Sequence, residues 1–193
     1  CWVGILLLGD LGTHLVAFLV LYAIAFAGYL IAVRNLDSLS FSAVLVCGVA
    51  FRLTIVAIKP SLSDDIYRYL WDGLVQLHGI NPYQFAPDAP ELSAILRPDI
   101  LEKVNHPHLQ TIYPPFAQFF FRVCAWIAPE VWVIKIGVVV WDCVAVLFLA
   151  GLARAYDIHP AAVALYFWNP LVILEGAGHG HIDVVAVSLL LFF

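Results

Sequence analysis

Two adjacent carboxylates, an arginine and three large aromatics fall within the run Ser63-Asp64-Asp65-Ile66-Tyr67-Arg68-Tyr69-Leu70-Trp71-Asp72-Gly73. A positioned carboxylate can take a proton from a hydroxyl, and aromatic faces beside it suit sugar rings. The quieter reading places Asp64 and Asp65 in the first turn of a helix capped by Ser63, where negative charge complements the dipole. Arg68 lies at i+4 from Asp64 and at i−4 from Asp72 and can pair with either, which leaves Asp65 the freer acid.

A second constellation is Glu175-Gly176-Ala177-Gly178-His179-Gly180-His181-Ile182-Asp183. Its glycines lack the strand-loop-helix setting of a nucleotide cradle, so hydrogen bonding to a polar ligand is the reading that fits. A metal held by His179, His181 and Asp183, with His106 and His108 converging on it, is the alternative. Isolated charges complete the inventory. Arg52 interrupts an apolar run and either snorkels to the headgroups or, with Lys59 and Lys135, meets a lipid phosphate. Asp142 lies deep in another run, where an ionised group needs a partner such as Arg122 or serves a proton path.

The elements that must hold these groups are membrane helices. The sequence is 63% hydrophobic and 12% charged with a mean hydropathy of +0.95, too apolar for a soluble domain of 193 residues. A net charge of −5 offers no basic surface for nucleic acid. Seven of the 14 acidic residues lie between Lys59 and Ile112, so the charge is concentrated in one loop. Cys1, Cys47, Cys124 and Cys143 sit in apolar segments without metal-type spacing and read as packing residues. Spans are expected over 11–33, 41–58, 131–152 and 160–174, with 183–193 a truncated one, and the whole reads as the N-terminal part of a longer chain.

The loop 59–112 is too long for a passive link and is expected to carry short amphipathic helices lying at the interface. Helix 113–128, bounded by Tyr113-Pro114-Pro115 and Pro129, would reach only about 20 Å and reads as re-entrant or juxtamembrane. With that reading the basic loops at Arg34 and Arg154 are cytoplasmic, and both polar constellations face outward. The expected fold is an all-α polytopic transmembrane bundle with an extracytoplasmic loop, in a single domain.

Taken together, Ser63-Asp64-Asp65-Ile66-Tyr67-Arg68-Tyr69, Trp71-Asp72-Gly73, Asn81-Pro82-Tyr83, Tyr113-Pro114-Pro115, Asn169-Pro170-Leu171 and Gly180-His181-Ile182-Asp183 make the sequence resemble the GT-C glycosyltransferases. The likeness is to the bacterial polyprenol-phosphate-mannose-dependent mannosyltransferases in particular, and it extends over most of the chain. Ile182 stands where related sequences often carry Asn. The resemblance implies a general base at the start of the first large extracytoplasmic loop, which is Asp65, with Asp64 as the competing assignment. It implies substrate contacts from Arg68, Tyr69, Trp71, Asn81, Tyr83, His106, Tyr113, Glu175, His181 and Asp183, and lipid-phosphate contacts from Arg52 and Lys59.

A sugar on a lipid phosphate already has a good leaving group, so an inverting displacement needs one base and little acid help. A retaining route needs a second nucleophile that the sequence does not identify. The resemblance therefore implies an inverting transfer of a hexose, mannose by preference, from a polyprenyl phosphate to a glycan or lipid hydroxyl. The site would face outward from a bacterial plasma membrane, with no cofactor and with cations in place of a divalent metal. The rival from another class is a transporter or lipid flippase that uses the acidic loop and Asp142.

Overall fold

In the computed structural model, residues 1–95 and 97–192 are described. All regular structure among them is helical. In chain order the helices are α1 (Trp2–Leu8), α2 (Leu15–Arg34), α3 (Phe41–Ile55), α4 (Asp65–Leu77), α5 (Pro98–Leu101), α6 (Pro115–Ile127) and α7 (Val131–Ala155). They are followed by α8 (Pro160–Phe167), α9 (Pro170–His179) and α10 (Asp183–Phe192). The chain divides into two compact units, Cys1–Leu62 with Val138–Phe193, and Ser63–Gly137.

Two helices, α2 and α7, are long and apolar enough to cross a membrane, and the bent pair α8 and α9 makes a third if it is one span. This is a membrane protein. Helix α2 starts later than position 11 because Asp10 folds residues 10–13 into a turn, its Oδ1 accepting from the N–H groups of Gly12 and Thr13. The N-terminus of α3 is capped by Ser40, whose Oγ accepts from the Ala43 N–H at 3.2 Å. At 15 residues α3 is shorter than a full span.

The first unit is built on two apolar clusters. Ile5, Leu11, Phe18, Ile55, Ile58, Ile173 and Leu174 form one, joining α1, α2 and α3 to α9. Val44, Val146, Ala161, Val163, Ala164 and Phe167 form the other, joining α3, α7 and α8. Ser188 fastens α10 to α7, its hydroxyl donating to the Trp141 carbonyl at 2.7 Å.

The expected span 160–174 is not one helix. It breaks at Trp168 and Asn169, where α8 and α9 meet at a bend of 54°. Pro170 has no N–H to give to the Tyr166 carbonyl, which takes the Asn169 N–H instead at 3.1 Å, and the Leu171 N–H turns to Asn169 Oδ1 at 3.0 Å. The carbonyls of Leu165 and Phe167 therefore lose their usual helical partners, a serious cost in an apolar setting. Side chains from earlier helices replace them. Tyr29 of α2 donates its hydroxyl to the Leu165 carbonyl at 2.8 Å, and Arg52 of α3 gives Nη1 to the Phe167 carbonyl at 2.7 Å. In return Trp168 Nε1 donates to the Val44 carbonyl of α3 at 2.9 Å. The approach of α3 to α8 is closest at Gly48, where a Cβ would lie 2.2 Å from the Phe167 ring.

In the second unit α4 packs on α6 with similar closeness. A Cβ on Gly73 would stand 2.5 Å from the Phe121 carbonyl and 2.8 Å from Ala125 Cβ, so only glycine fits. The interface-lying helix expected here, with one apolar face, is instead enclosed from Arg68 to Val75, polar residues included. Part of its enclosure comes from α6, which meets it at Phe121 and Ala125 and leaves Phe119, Val123, Trp126 and Ile127 exposed.

Candidate functional site

The second unit carries the acidic loop. Asp64 is the N-cap of α4 without a side-chain capping bond, and Ser63 Oγ accepts weakly from the Asp65 N–H at 3.4 Å. Asp65 is therefore the first helical residue, with its carboxylate at the positive end of the dipole. Its Oδ1 accepts from Asn105 Nδ2 at 2.9 Å, and it enters no ion pair among the described residues.

Beside it stands an aromatic wall. Tyr69 stacks on Phe121 with ring centroids 4.6 Å apart, and the Tyr113 ring meets Tyr69 edge-on at 5.0 Å. Tyr83 holds this wall from outside, donating its hydroxyl to the Tyr113 carbonyl at 2.6 Å. Burial pushes the Tyr113 phenol above its ordinary pKa, and the Asp65 carboxylate pushes it further, against a hydrogen bond from Tyr69. Tyr83 is raised as well, by burial and then by Asp72. Both phenols thus remain proton donors at neutral pH.

Behind the wall lies a buried polar chain. Arg68 Nε donates to Asp72 Oδ1 at 2.9 Å, and Gln118 Nε2 donates to Asp72 Oδ2 at 2.7 Å and to Thr111 Oγ1 at 2.9 Å. Gln76 Nε2 donates in turn to Gln118 Oε1 at 2.9 Å. Of the two pairings open to Arg68, the structure adopts the one with Asp72.

Several expected ligand contacts sit elsewhere than anticipated. Trp71 is 1% exposed, its indole inside the packing rather than on a surface. Arg68 is buried and engaged by Asp72, and Tyr69 is buried within its wall. Asn81 shapes a turn, its Oδ1 accepting from the Tyr83 N–H at 3.0 Å. His106 and His108 are exposed, with rings 6.0 Å apart.

The first unit carries Glu175, His181 and Asp183. Helix α9 widens into a π-helical turn over Ile173–His179 and stops at Gly180, whose φ of +78° suits glycine. That geometry folds His181 back so that its Nδ1 lies 3.0 Å from Glu175 Oε2, with His179 Nδ1 3.9 Å from the same oxygen. Glu175, His181 and Asp183 line a cavity of about 250 Å³ whose other walls include Tyr166, Leu171 and Val184. His179 is fully buried. No cluster of three or more His, Cys, Asp or Glu residues able to hold a metal occurs among the described residues.

Arg52 requires a correction. It neither snorkels nor faces a lipid phosphate but is completely buried, pairing through Nε with Asp142 Oδ2, bonding the Gly48 and Phe167 carbonyls, and lying 3.8 Å over the Phe167 ring. Asp142 is accordingly partnered by Arg52, not by Arg122. Lys59, the other expected phosphate ligand, is exposed and bound to Asp10 Oδ2 at 3.2 Å.

The residues that sequence reasoning missed are Asn105, Thr111, Gln76 and Gln118. Gln118 left a readable trace, since it and Arg122 are polar residues four apart on an otherwise apolar helix. Comparison with known proteins gives one result. Residues 3–192 match the MptA_B family, described as alpha-(1->6)-mannopyranosyltransferase, N-terminal domain. No curated protein and no solved structure gave a match.

Proposed function

This chain belongs to the alpha-(1->6)-mannopyranosyltransferase family, and on that premise we propose that it moves mannose from a polyprenyl-phosphate donor to an acceptor hydroxyl with Asp65 as general base. The observation that carries the assignment is the contrast among the carboxylates of α4. Asp72 is buried and neutralised by Arg68, whereas Asp65 is half-exposed, outside any ion pair among the described residues, and oriented by the amide of Asn105. Asp64, at the N-cap and exposed, has no orienting side-chain partner of that kind among the described residues.

In the proposed step Asp65 takes the proton of the acceptor hydroxyl as its oxygen attacks the anomeric carbon. The bond from that carbon to the lipid phosphate breaks on the opposite face, and the phosphate leaves with the electron pair. Configuration inverts, and one carboxylate serves. The polyprenyl tail stays in the bilayer, which gives the enzyme its reason to be embedded. We place the site on the extracytoplasmic side of a bacterial plasma membrane in a multi-spanning chain.

The test is transfer of radiolabelled mannose from polyprenyl-phosphate mannose by the full-length protein, with and without EDTA. Loss of a positioned base costs about 10²- to 10⁴-fold, so Asp65→Asn should lose transfer on that scale while Asp64→Asn retains it. Undiminished transfer by Asp65→Asn removes the assigned base, and loss of wild-type transfer with EDTA replaces the metal-free scheme.

A further inference from the structure

On the outer side of the buried polar chain the second unit opens into a groove of about 420 Å³, lined among others by Gln76, Asn81, Tyr83, Pro115, Gln118 and Arg122. Its volume falls in the range of about 300–1,000 Å³ typical of small-ligand sites.

The polar groups it offers follow from the bonds beneath it. Asp72 can only accept, so the nitrogen of Gln118 must face it, and Gln118 Oε1 must then receive the nitrogen of Gln76. With its nitrogen committed to the interior, Gln76 is left with its amide oxygen as an acceptor for the groove. Asn81 is arranged the opposite way, since Oδ1 is used by the Tyr83 N–H and Nδ2 remains as a donor. Arg122, exposed and in no ion pair among the described residues, adds a fork of donors. Tyr83 contributes a ring that is 40% exposed.

An acceptor oxygen, an amide donor, a guanidinium and an aromatic ring suit the alternating hydroxyls and apolar patches of a pyranose. They suit a phosphate poorly, because the Gln76 oxygen would repel an anion and only one cation lines the groove. The groove also adjoins the carboxylate site through Tyr83, which holds the Tyr113 carbonyl.

We propose that this groove is a subsite for a neutral sugar ring of the acceptor glycan, seating a residue next to the one that presents the reacting hydroxyl. The proposal rests on the transferase reading and assigns that reading the residues that seat its acceptor. Gln76, Asn81 and Arg122 are its polar contacts, and Tyr83 is its stacking face.

The experiment uses the full-length protein in nanodiscs, with polyprenyl-phosphate mannose as donor and an alpha-1,6-linked mannose disaccharide as acceptor. Asn81→Asp keeps an oxygen for the Tyr83 N–H and exchanges the amide donor for a charged acceptor, and Arg122→Gln removes the fork from an exposed position. Each should raise the acceptor KM about three- to tenfold, the value of one or two hydrogen bonds, and leave donor KM and melting temperature unchanged. Acceptor KM values within twofold of wild type in both variants, or a rise in donor KM instead, overturn the subsite while leaving the transferase reading intact. Saturation-transfer NMR of the disaccharide on Asp65→Asn protein provides a readout that does not depend on turnover. At subsaturating disaccharide its signal should fall about three- to tenfold in the Asp65→Asn/Asn81→Asp double variant. Disaccharide signals weakened by Asn81→Asp in a protein that transfers no mannose would sustain the subsite and sink the transferase reading. An undiminished signal in the double variant overturns the subsite.

Discussion

Replacing Arg52 and Asp142 singly and together separates two roles that the buried guanidinium fulfils at once. One is the ion pair with Asp142, and the other is the cap on the Phe167 carbonyl. Arg52→Met leaves an unpaired carboxylate in the bundle, which costs about 3–5 kcal/mol. Asp142→Leu strands the guanidinium on its two carbonyls and the Phe167 ring, at a similar or slightly smaller cost. The double variant Arg52→Met/Asp142→Leu removes both charges. A buried pair exchanged for apolar groups of like volume is often neutral or stabilising, and here Arg52 Nη2 has no hydrogen-bond partner among the described residues, so the pair is incompletely compensated. What the double variant still lacks is a donor for the Phe167 carbonyl, a loss of about 1–3 kcal/mol. The double variant should therefore unfold between wild type and either single variant. Denaturation in bicelles followed by tryptophan fluorescence measures this, with Trp168 reporting from the break itself through its bond to Val44. Arg52→Met costing less than Asp142→Leu, which keeps the donor to the Phe167 carbonyl, would refute the capping role. A double variant at least as damaged as the two single variants combined would refute the pairing role.

Two further outcomes can be checked. Gly73→Ala drives a methyl group to 2.5 Å from the Phe121 carbonyl, so α4 and α6 must separate; a loss of about 1–3 kcal/mol in the same unfolding assay is expected, and an unchanged stability would show that the approach is not tight. Asp10 has a carboxyl held below its usual range by the Thr13 N–H and then by Lys59. Its folded pKa is depressed, so its contribution is present above the unfolded value of about 3.9 and is lost as pH falls through the folded one. Asp10→Asn should lower stability at pH 7 and flatten the acid limb of a stability-against-pH profile, and an unaltered acid limb would count against the linkage.

What the sequence made legible is what its composition and punctuation encode. A mean hydropathy of +0.95 permits little except membrane helices, and the helical fold follows. The motifs from Ser63 to Asp183 carry the family likeness that the match over residues 3–192 establishes. Asparagine and proline at 169–170 were legible as part of the motif Asn169-Pro170-Leu171, inside an expected span. That they mark a kink whose carbonyls are served by α2 and α3 was not, because the partners stand 136 and 115 residues away in the chain. Arg52 was misjudged for the same reason. Its charge suggested the headgroups, and its true partner is 90 residues distant. Trp71 looked like a sugar platform by residue type, and only the packing around α4 takes it out of reach. Gln76 and Gln118 drew no notice because amides in apolar helices gain meaning only once a buried acid such as Asp72 fixes which end faces inward.

The kink between α8 and α9 also bears on the order in which the protein is built. An interrupted segment entering a bilayer alone would carry bare carbonyls into hydrocarbon, each worth several kcal/mol against insertion. Tyr29 and Arg52, which answer those carbonyls, are synthesised more than a hundred residues before them and are already in the membrane when the segment emerges. Synthesis from the N-terminus thus delivers receptors before the element that needs them, and a circular permutant starting at α8 should insert poorly although every native contact remains available to it.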